Sequence, residues 1–505
     1  MPRKAFIVPA ARPSILVVTP EATPFAKTGG LADVAGALPL ALGRLGHRVT
    51  VVLPRYRGTI AGTPVGRVTI GMGADRLTAG FGEQAMADRV RAVLVDCPEL
   101  YDREHLYGAG NDDYADNARR FAFLSRAALE VPLVTGERPD VIHAHDWQAG
   151  LTPVYLKAAV ARDPALKGVP VVFTIHNLAY QGLFSPDWLG PLGLPGDLFA
   201  VSGFEYWGRL SFLKAGINFS EIVTTVSARY AKEIQTAEYG FGFEGILASR
   251  AKALVGIPNG IDTGVWDPQT DEFLPGPYSA ARLGGKAAAK KALLETIGLP
   301  VDPGSVARPV LGLVSRMVDQ KGFDLLSDAA ARLLELPVTV ALLGSGDPRY
   351  ERQWRDLAGA HPDRVGVRIG FDDRLAHLII AGADVFLMPS RFEPCGLSQM
   401  YSLRYGTVPV VRATGGLDDT VADWHPRTTG GTGFKFQEYT ADALLTAIAR
   451  ALAAFGDQAR WRAIQQAGMQ GDYSWDTPAR LYARVYDRAI RLARRAAARA
   501  RPGTA

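Results

Sequence analysis

The feature that most limits how this chain can fold is one pattern that runs twice. Short apolar runs at Ile15–Thr19, Val49–Leu53, Val90–Val95, Asp140–His143, Val169–Ile175 and Ile222–Val226 are separated by helical stretches such as Ala32–Leu45 and Asp116–Leu129. Short β-rich runs alternating with helices fit a parallel sheet with helices on both faces. Val255–Pro258 closes this series, and PNGID (Pro258–Asp262) reads as a turn. Thr263–Pro309 is rich in Gly and Pro and holds a Lys/Ala-rich helix, Ala287–Ile297. The alternation then restarts at Val310–Val314, Val338–Leu343, Val365–Ile369, Val385–Met388 and Val408–Val411, with a Gly loop at Gly344–Pro348. The expected fold class is α/β, with two Rossmann-like domains facing each other across a cleft: residues 1–258 and 259–474. Residues 475–505 form a tail that is helical from Trp475 to about Ala498, with Leu481, Val485, Ile490 and Leu492 on an apolar stripe.

Composition narrows the class. At 505 residues and 48% hydrophobic, the chain has material for more than one core. Net charge is +5, and the only basic cluster is the Ala/Arg-rich Arg480–Arg501, so no nucleic-acid partner is expected. Two cysteines, Cys97 and Cys395, do not make a disulfide framework and fit a reducing, cytoplasmic setting. No apolar run reaches the roughly 18 residues of a membrane span. The opening MPRKAFIVPAARP has three Pro residues and lacks a long apolar core, so a disordered arm is expected rather than a signal peptide. No CxxC pair, HExxH or Asp-x-Asp sequence stands where it suggests a metal.

Leu387–Val421 is the most informative stretch for chemistry. The run VFLMP ends in Ser390, a polar elbow with Glu393 follows, and Gly415-Gly416 comes after Thr414. This is the layout of a site at the C-terminal edge of a parallel sheet. The glycine pair would let backbone N–H groups approach a phosphate at a helix start. Arg316 and Lys321 stand five residues apart after Val310–Val314, which puts both cations near the same sheet edge. They suit a departing diphosphate, or they are ordinary surface charges. Glu393 would reach a sugar's hydroxyls or a developing positive charge, or would cap the next helix.

Seven segments in order resemble the bacterial glycogen synthase and plant starch synthase family: KTGGLADV (Lys27–Val34), HAHDWQAGL (His143–Leu151), FTIHNLAYQG (Phe173–Gly182), PNGID, SRMVDQKGFDLL (Ser315–Leu326), EPCGL (Glu393–Leu397) and TGGL (Thr414–Leu417). The resemblance runs from about residue 15 to about residue 480. The lack of a long Ser-rich leader favours the bacterial form. The resemblance implies a glycosyltransferase B-type fold in which the last helix returns to the first domain. It implies a retaining enzyme moving glucose from ADP-glucose to the non-reducing 4-OH of glycogen or a maltooligosaccharide, without a cofactor. It assigns His176, Arg316, Lys321 and Glu393 to catalysis. Lys27, Gly29, Gly30, Asp33, Asn259, Phe371, Cys395, Gly396, Leu397, Thr414, Gly415 and Gly416 would bind the donor. His145, Asp146, Tyr180 and Gln181 would line the acceptor side or pocket wall.

Several of these positions keep a second reading. Asp33 would pair with a cation or hydroxyl, or merely charge a helix start. His143 would be structural. Phe371 stands where the family more often has Tyr; its ring would stack on adenine or sit in a core. Cys395 would be a partly exposed lining thiol, with no base beside it to make it a nucleophile. Some relatives carry a second Glu eight residues past Glu393; here that position is Tyr401. The alternatives are a UDP-glucose-dependent enzyme of the same fold and a non-catalytic glycogen-binding protein.

Overall fold

The computed structural model describes residues 12–109, 112–159, 166–427 and 430–499. Nearly all of the expected N-terminal arm therefore lies outside the described residues. The chain divides into two compact units. The first holds the described residues up to Thr225, then Ile234–Ile257 and the described residues from Trp475; the second holds Val226–Glu233 and the described residues of Pro258–Ser474.

The first unit is built on a nine-stranded sheet among the described residues. Its order is Leu254–Gly256, Ile222–Thr225, Val171–Ile175, Val141–His145, Ser14–Val18, Arg48–Pro54, Val90–Asp96, Asp75–Ala87 and Thr63–Met72. The first seven strands are parallel, and the last two extend the sheet antiparallel. That edge hairpin adds two antiparallel strands to the expected parallel sheet. Thr63–Met72 is mostly exposed and contains Pro64 and Gly66, so it lacks the apolar run of a buried strand. Alternate residues of the central strands, such as Ile15, Val17, Val49, Val51 and Leu53, form one core with the helix Gly30–Arg44 and the last helix, Asp476–Arg499. On that last helix the buried face is Ala479, Tyr482, Val485, Tyr486 and Ala489, while Leu492 is exposed. Of the expected stripe, Val485 is buried and Leu481 and Ile490 pack against the same core partly buried; Tyr482 and Tyr486 add to it.

The second unit has a six-stranded parallel sheet in the order Val365–Ile369, Thr339–Gly344, Val310–Val314, Val385–Met388, Val408–Arg412 and Phe434–Phe436. Leu311, Leu313, Val340 and Leu342 pack on one face; Val310, Ala341, Leu343 and Phe386 pack on the other. Helices therefore cover both faces, as a parallel sheet requires.

Among the parallel strands of each sheet, strand order reverses once. The reversal lies between Ser14–Val18 and Val141–His145 in the first unit. In the second it lies between Val310–Val314 and Val385–Met388. At such a switch point the loops leaving neighbouring strands run opposite ways and leave a crevice at the strands' C-terminal ends.

Candidate active site

In the second unit, the two loops that leave the switch-point strands carry the expected charges. Ser315–Lys321 follows the first strand, and Pro389–Glu393 follows the second. Gly322 has φ +80, and a β-carbon on it would lie 2.1 Å from the Pro389 carbonyl oxygen. Only glycine lets the loops approach this closely. Arg391 N–H donates to the Gln320 carbonyl at 2.9 Å, and Gln320 Nε2 donates to the Phe392 carbonyl at 3.4 Å.

That approach sets Lys321 Nζ 2.6 Å from Glu393 Oε2, with side chains only 20% and 6% exposed. Ser390 Oγ donates to the same oxygen at 3.0 Å. Lys321, Ser315, Pro389, Ser390 and Ser398 line one pocket. Arg316 is exposed, and its Nη2 donates to Gln320 Oε1 at 3.2 Å. The helix after the elbow, Ser398–Arg404, has no side-chain cap, so Glu393 does not play the capping role. Tyr401 stacks on Trp266 at 3.8 Å between ring centroids.

The glycine pair has a packing reason. Gly415 has φ +46, and a β-carbon there would lie 1.9 Å from the Glu393 carbonyl oxygen; one on Gly416 would lie 2.1 Å from that of Cys395. Gly416 N–H donates to the Glu393 carbonyl at 3.1 Å. Gly415 N–H donates to Glu233 Oε2 at 3.0 Å, and Thr414 Oγ1 donates to the same oxygen at 3.3 Å. Arg229 Nε holds the other Glu233 oxygen at 2.9 Å. A protein carboxylate therefore meets the Gly415 N–H where the sequence reading puts a phosphate. Close approach of the Glu393–Cys395 backbone is thus a packing reason for the pair.

Cys395 is buried rather than partly exposed, and burial pushes its thiol up to about 12. It stays protonated near neutrality and is no nucleophile. Asn259, also buried, bonds to it. Gly396 has φ +70, and Gln399 Nε2 donates to the carbonyls of Cys395 and Gly396 at 3.0 and 3.1 Å, beside half-buried Leu397. Phe371 is 88% exposed, so the core alternative fails.

In the first unit, three loops leave the strands around the other switch point. After Ser14–Val18 comes the Lys27–Gly30 loop. Glu21, buried beneath it, accepts from Thr28 N–H at 2.5 Å and from Thr28 Oγ1 and Tyr107 OH at 3.0 Å each. Burial raises its pKa against those hydrogen bonds. Lys27 Nζ pairs with Asp33 at 2.8 Å on an exposed surface. Gly29 caps the helix that Gly30 starts, and a β-carbon on Gly29 would meet nothing within 4 Å. Internal packing does not demand a glycine there, which leaves room for something to approach.

After Val141–His145 comes Asp146 at φ +55, a strained position for a residue other than glycine. Its Oδ1 accepts from His176 N–H at 2.7 Å, and burial pushes its pKa up to about 7. His145 Nδ1 and His176 Nε2 lie 2.8 Å apart. Burial holds His176 down to about 3 and His145 well below its ordinary value, so both are neutral near pH 7. His143 is structural: it is fully buried between Thr174 Oγ1 at 2.6 Å and Tyr486 OH at 2.8 Å. Tyr180 is half exposed, and Gln181 Nε2 donates to the Phe241 carbonyl at 2.9 Å.

Sequence reasoning missed Glu21 and Glu233, and gave Ser390 no role beyond the end of an apolar run. Glu21 lies next to a segment already singled out. Glu233 lies 182 residues before Gly415 and carried no local signal.

Residues 14–249 match the family described as starch synthase catalytic domain, and residues 304–467 match glycosyl transferases group 1. The chain is 48% identical to a glycogen synthase of Koribacter versatilis, over 93% of this chain and 96% of that one. It is 51% identical to a glycogen synthase of Anaeromyxobacter dehalogenans, over 94% and 98%. The structure resembles the catalytic domain of starch synthase IV from Arabidopsis thaliana, solved bound to ADP and acarbose. The TM-score is 0.86 at 34% identity, covering 95% of this chain and all of that one. A sucrose-phosphate synthase of Thermosynechococcus elongatus, at TM-score 0.57 and 19% identity, shares the fold. With that identity along nearly its whole length and two α/β units of the glycosyltransferase B type, the chain belongs to the glycogen synthase family of glucan-building enzymes.

Proposed function

We propose that the chain moves the glucosyl unit of ADP-glucose to the 4-OH of an α-1,4-glucan, with retention at the anomeric carbon. The observation that carries this reading is the Lys321–Glu393 pair at 2.6 Å on the switch-point loops of the second unit. A cation there suits a diphosphate, and a nearly buried carboxylate beside it suits the positive charge that develops on the sugar. The adenine nucleotide in the similar starch synthase structure supports ADP-glucose over UDP-glucose. Exposed Phe371 offers a ring for the base.

In this mechanism the bond from the anomeric carbon to the diphosphate oxygen breaks, and Lys321 and Arg316 take up the charge that collects on the leaving group. The acceptor 4-OH attacks from the same face, and its proton passes to the departing phosphate oxygen. Neutral His176 serves as a hydrogen-bond partner for a sugar hydroxyl, oriented by Asp146 and His145. Cys395, protonated up to about 12, is not a covalent intermediate's nucleophile. We assign charge neutralisation to the two cations rather than to a metal, and we place the enzyme in the cytoplasm, where two unpaired buried thiols stay reduced.

Nucleotide release from ADP-glucose and UDP-glucose, each with glycogen, tests the donor. Higher kcat/KM with ADP-glucose is expected, and equal or better turnover of UDP-glucose would overturn it. A metal chelator should leave the rate unchanged.

A further inference from the structure

In the first unit, Glu205–Tyr206 and Arg209–Ser211 form a hairpin in which Tyr206 pairs with Arg209, so its loop is Trp207-Gly208. Both loop residues have positive φ, +49 and +74. This is the pattern of a type I′ turn, whose first position favours Asn, Asp or Gly. A bulky side chain there is strained. The turn is nonetheless fastened: Gly208 N–H donates to Glu205 Oε1 at 2.7 Å. Trp207 is 85% exposed, so it gains little burial to offset the strain.

A second aromatic repeats the exception beside it. Phe241 also has φ +49 and is 39% exposed. Its carbonyl accepts from Tyr206 OH at 3.2 Å and from Gln181 Nε2 at 2.9 Å. Gly242, at φ +83, follows because a β-carbon there would lie 2.0 Å from Tyr206 OH. Hairpin and Phe241 turn are thus one frame that holds two rings outward at left-handed positions. Folding terms alone oppose both residues, and strain of this kind persists where it serves a function.

We infer that Trp207, with Phe241, forms an aromatic ledge that binds an α-1,4-glucan arm away from the reacting end. A glucose ring presents axial C–H groups of partial positive charge, which match the negative face of an indole, while its hydroxyls stay in water. The acceptor polymer of this enzyme family repeats that ring many times, so a second foothold raises the local concentration of chain ends. The assignment rests on the glucan-building reading above.

Trp207→Asn tests it, because Asn is favoured at this turn position and should keep or raise the melting temperature. Electrophoresis through glycogen-containing gels reads binding without donor. Trp207→Asn should weaken glycogen retention roughly three- to tenfold, the scale of one aromatic contact, and Trp207→Tyr should restore most of it. With ADP-glucose as donor, kcat/KM for glycogen should fall by a similar factor while that for maltotriose stays within about twofold. Unchanged retention overturns the ledge. So does an equal loss on both acceptors, or a shift in oligomeric state by light scattering with glycogen binding intact, which would make a second copy the occupant. Failure of the parent protein to transfer glucose to any acceptor would instead sink the glucosyltransferase reading, and the gel measurement would stand apart from it.

Discussion

Glu393 receives two donors on one oxygen, Lys321 Nζ and Ser390 Oγ, and is nearly closed off from water. Glu393→Gln keeps the shape and removes the charge. We expect kcat and kcat/KM to fall together by roughly 10²-fold or more, the signature of a lost transition-state interaction. Stability should drop by about 1 kcal/mol as Lys321 loses its partner. Turnover within a few-fold of the parent would make the carboxylate structural. Arg316→Ala and Lys321→Ala should each cost a similar factor in kcat. Arg316→Ala should leave the melting temperature alone, since the guanidinium is exposed. Phe371→Ala should raise KM for ADP-glucose several-fold at unchanged stability, because an 88% exposed ring supports no core. At this scale the sequence showed which residue types the chemistry needs, and Lys321 and Glu393 do come together on adjacent loops, with Arg316 on the same loop as Lys321. It could not show Glu233 or Glu21, whose partners include backbone N–H groups, which every residue except proline offers.

The strand pair Val141–His145 and Val171–Ile175 delivers a buried polar group whose protons oppose one another. His143, His145 and His176 are held neutral, so unfolding takes up protons as pH falls below about 6.5 and stability is lost. Asp146, raised to about 7, works the other way. Between about pH 4 and 7 its native form keeps a proton that the unfolded chain releases, so its contribution grows as pH falls. Asp146→Asn removes that opposing term. The first unit's urea midpoint should then fall more steeply on acidification from pH 7 to 4.5, by up to about 1.4 kcal/mol per pH unit. An unchanged slope would mean Asp146 is ionised in the native protein. The strands themselves were legible because buried parallel strands read as apolar runs. The Thr63–Met72 edge was not, since an exposed antiparallel strand mixes polar and apolar residues. The last helix was found, but Tyr482 and Tyr486 were left off its packing face, because tyrosines with buried rings do not look apolar in a sequence.

Across the whole chain, the first unit is made of three separate segments and the second of two. Ending the chain after Ser474 removes Ala479, Tyr482, Val485, Tyr486 and Ala489 from the first unit's core, and with Tyr486 the partner of His143. Large side chains contribute roughly 1.5–3 kcal/mol each when buried, so the loss is comparable to a domain's net stability. Limited proteolysis of the truncated protein should digest the N-terminal half and spare residues 259–474; equal resistance of both halves would make the helix dispensable. The same arrangement fixes an order of events during synthesis. The first half to leave the ribosome lacks its last helix until translation is nearly over, while the second unit needs only its own strands and the short Val226–Glu233 segment already made. The part of the protein made first is therefore the part completed last. Nascent chains stalled anywhere before Trp475 should present an open apolar face to chaperones.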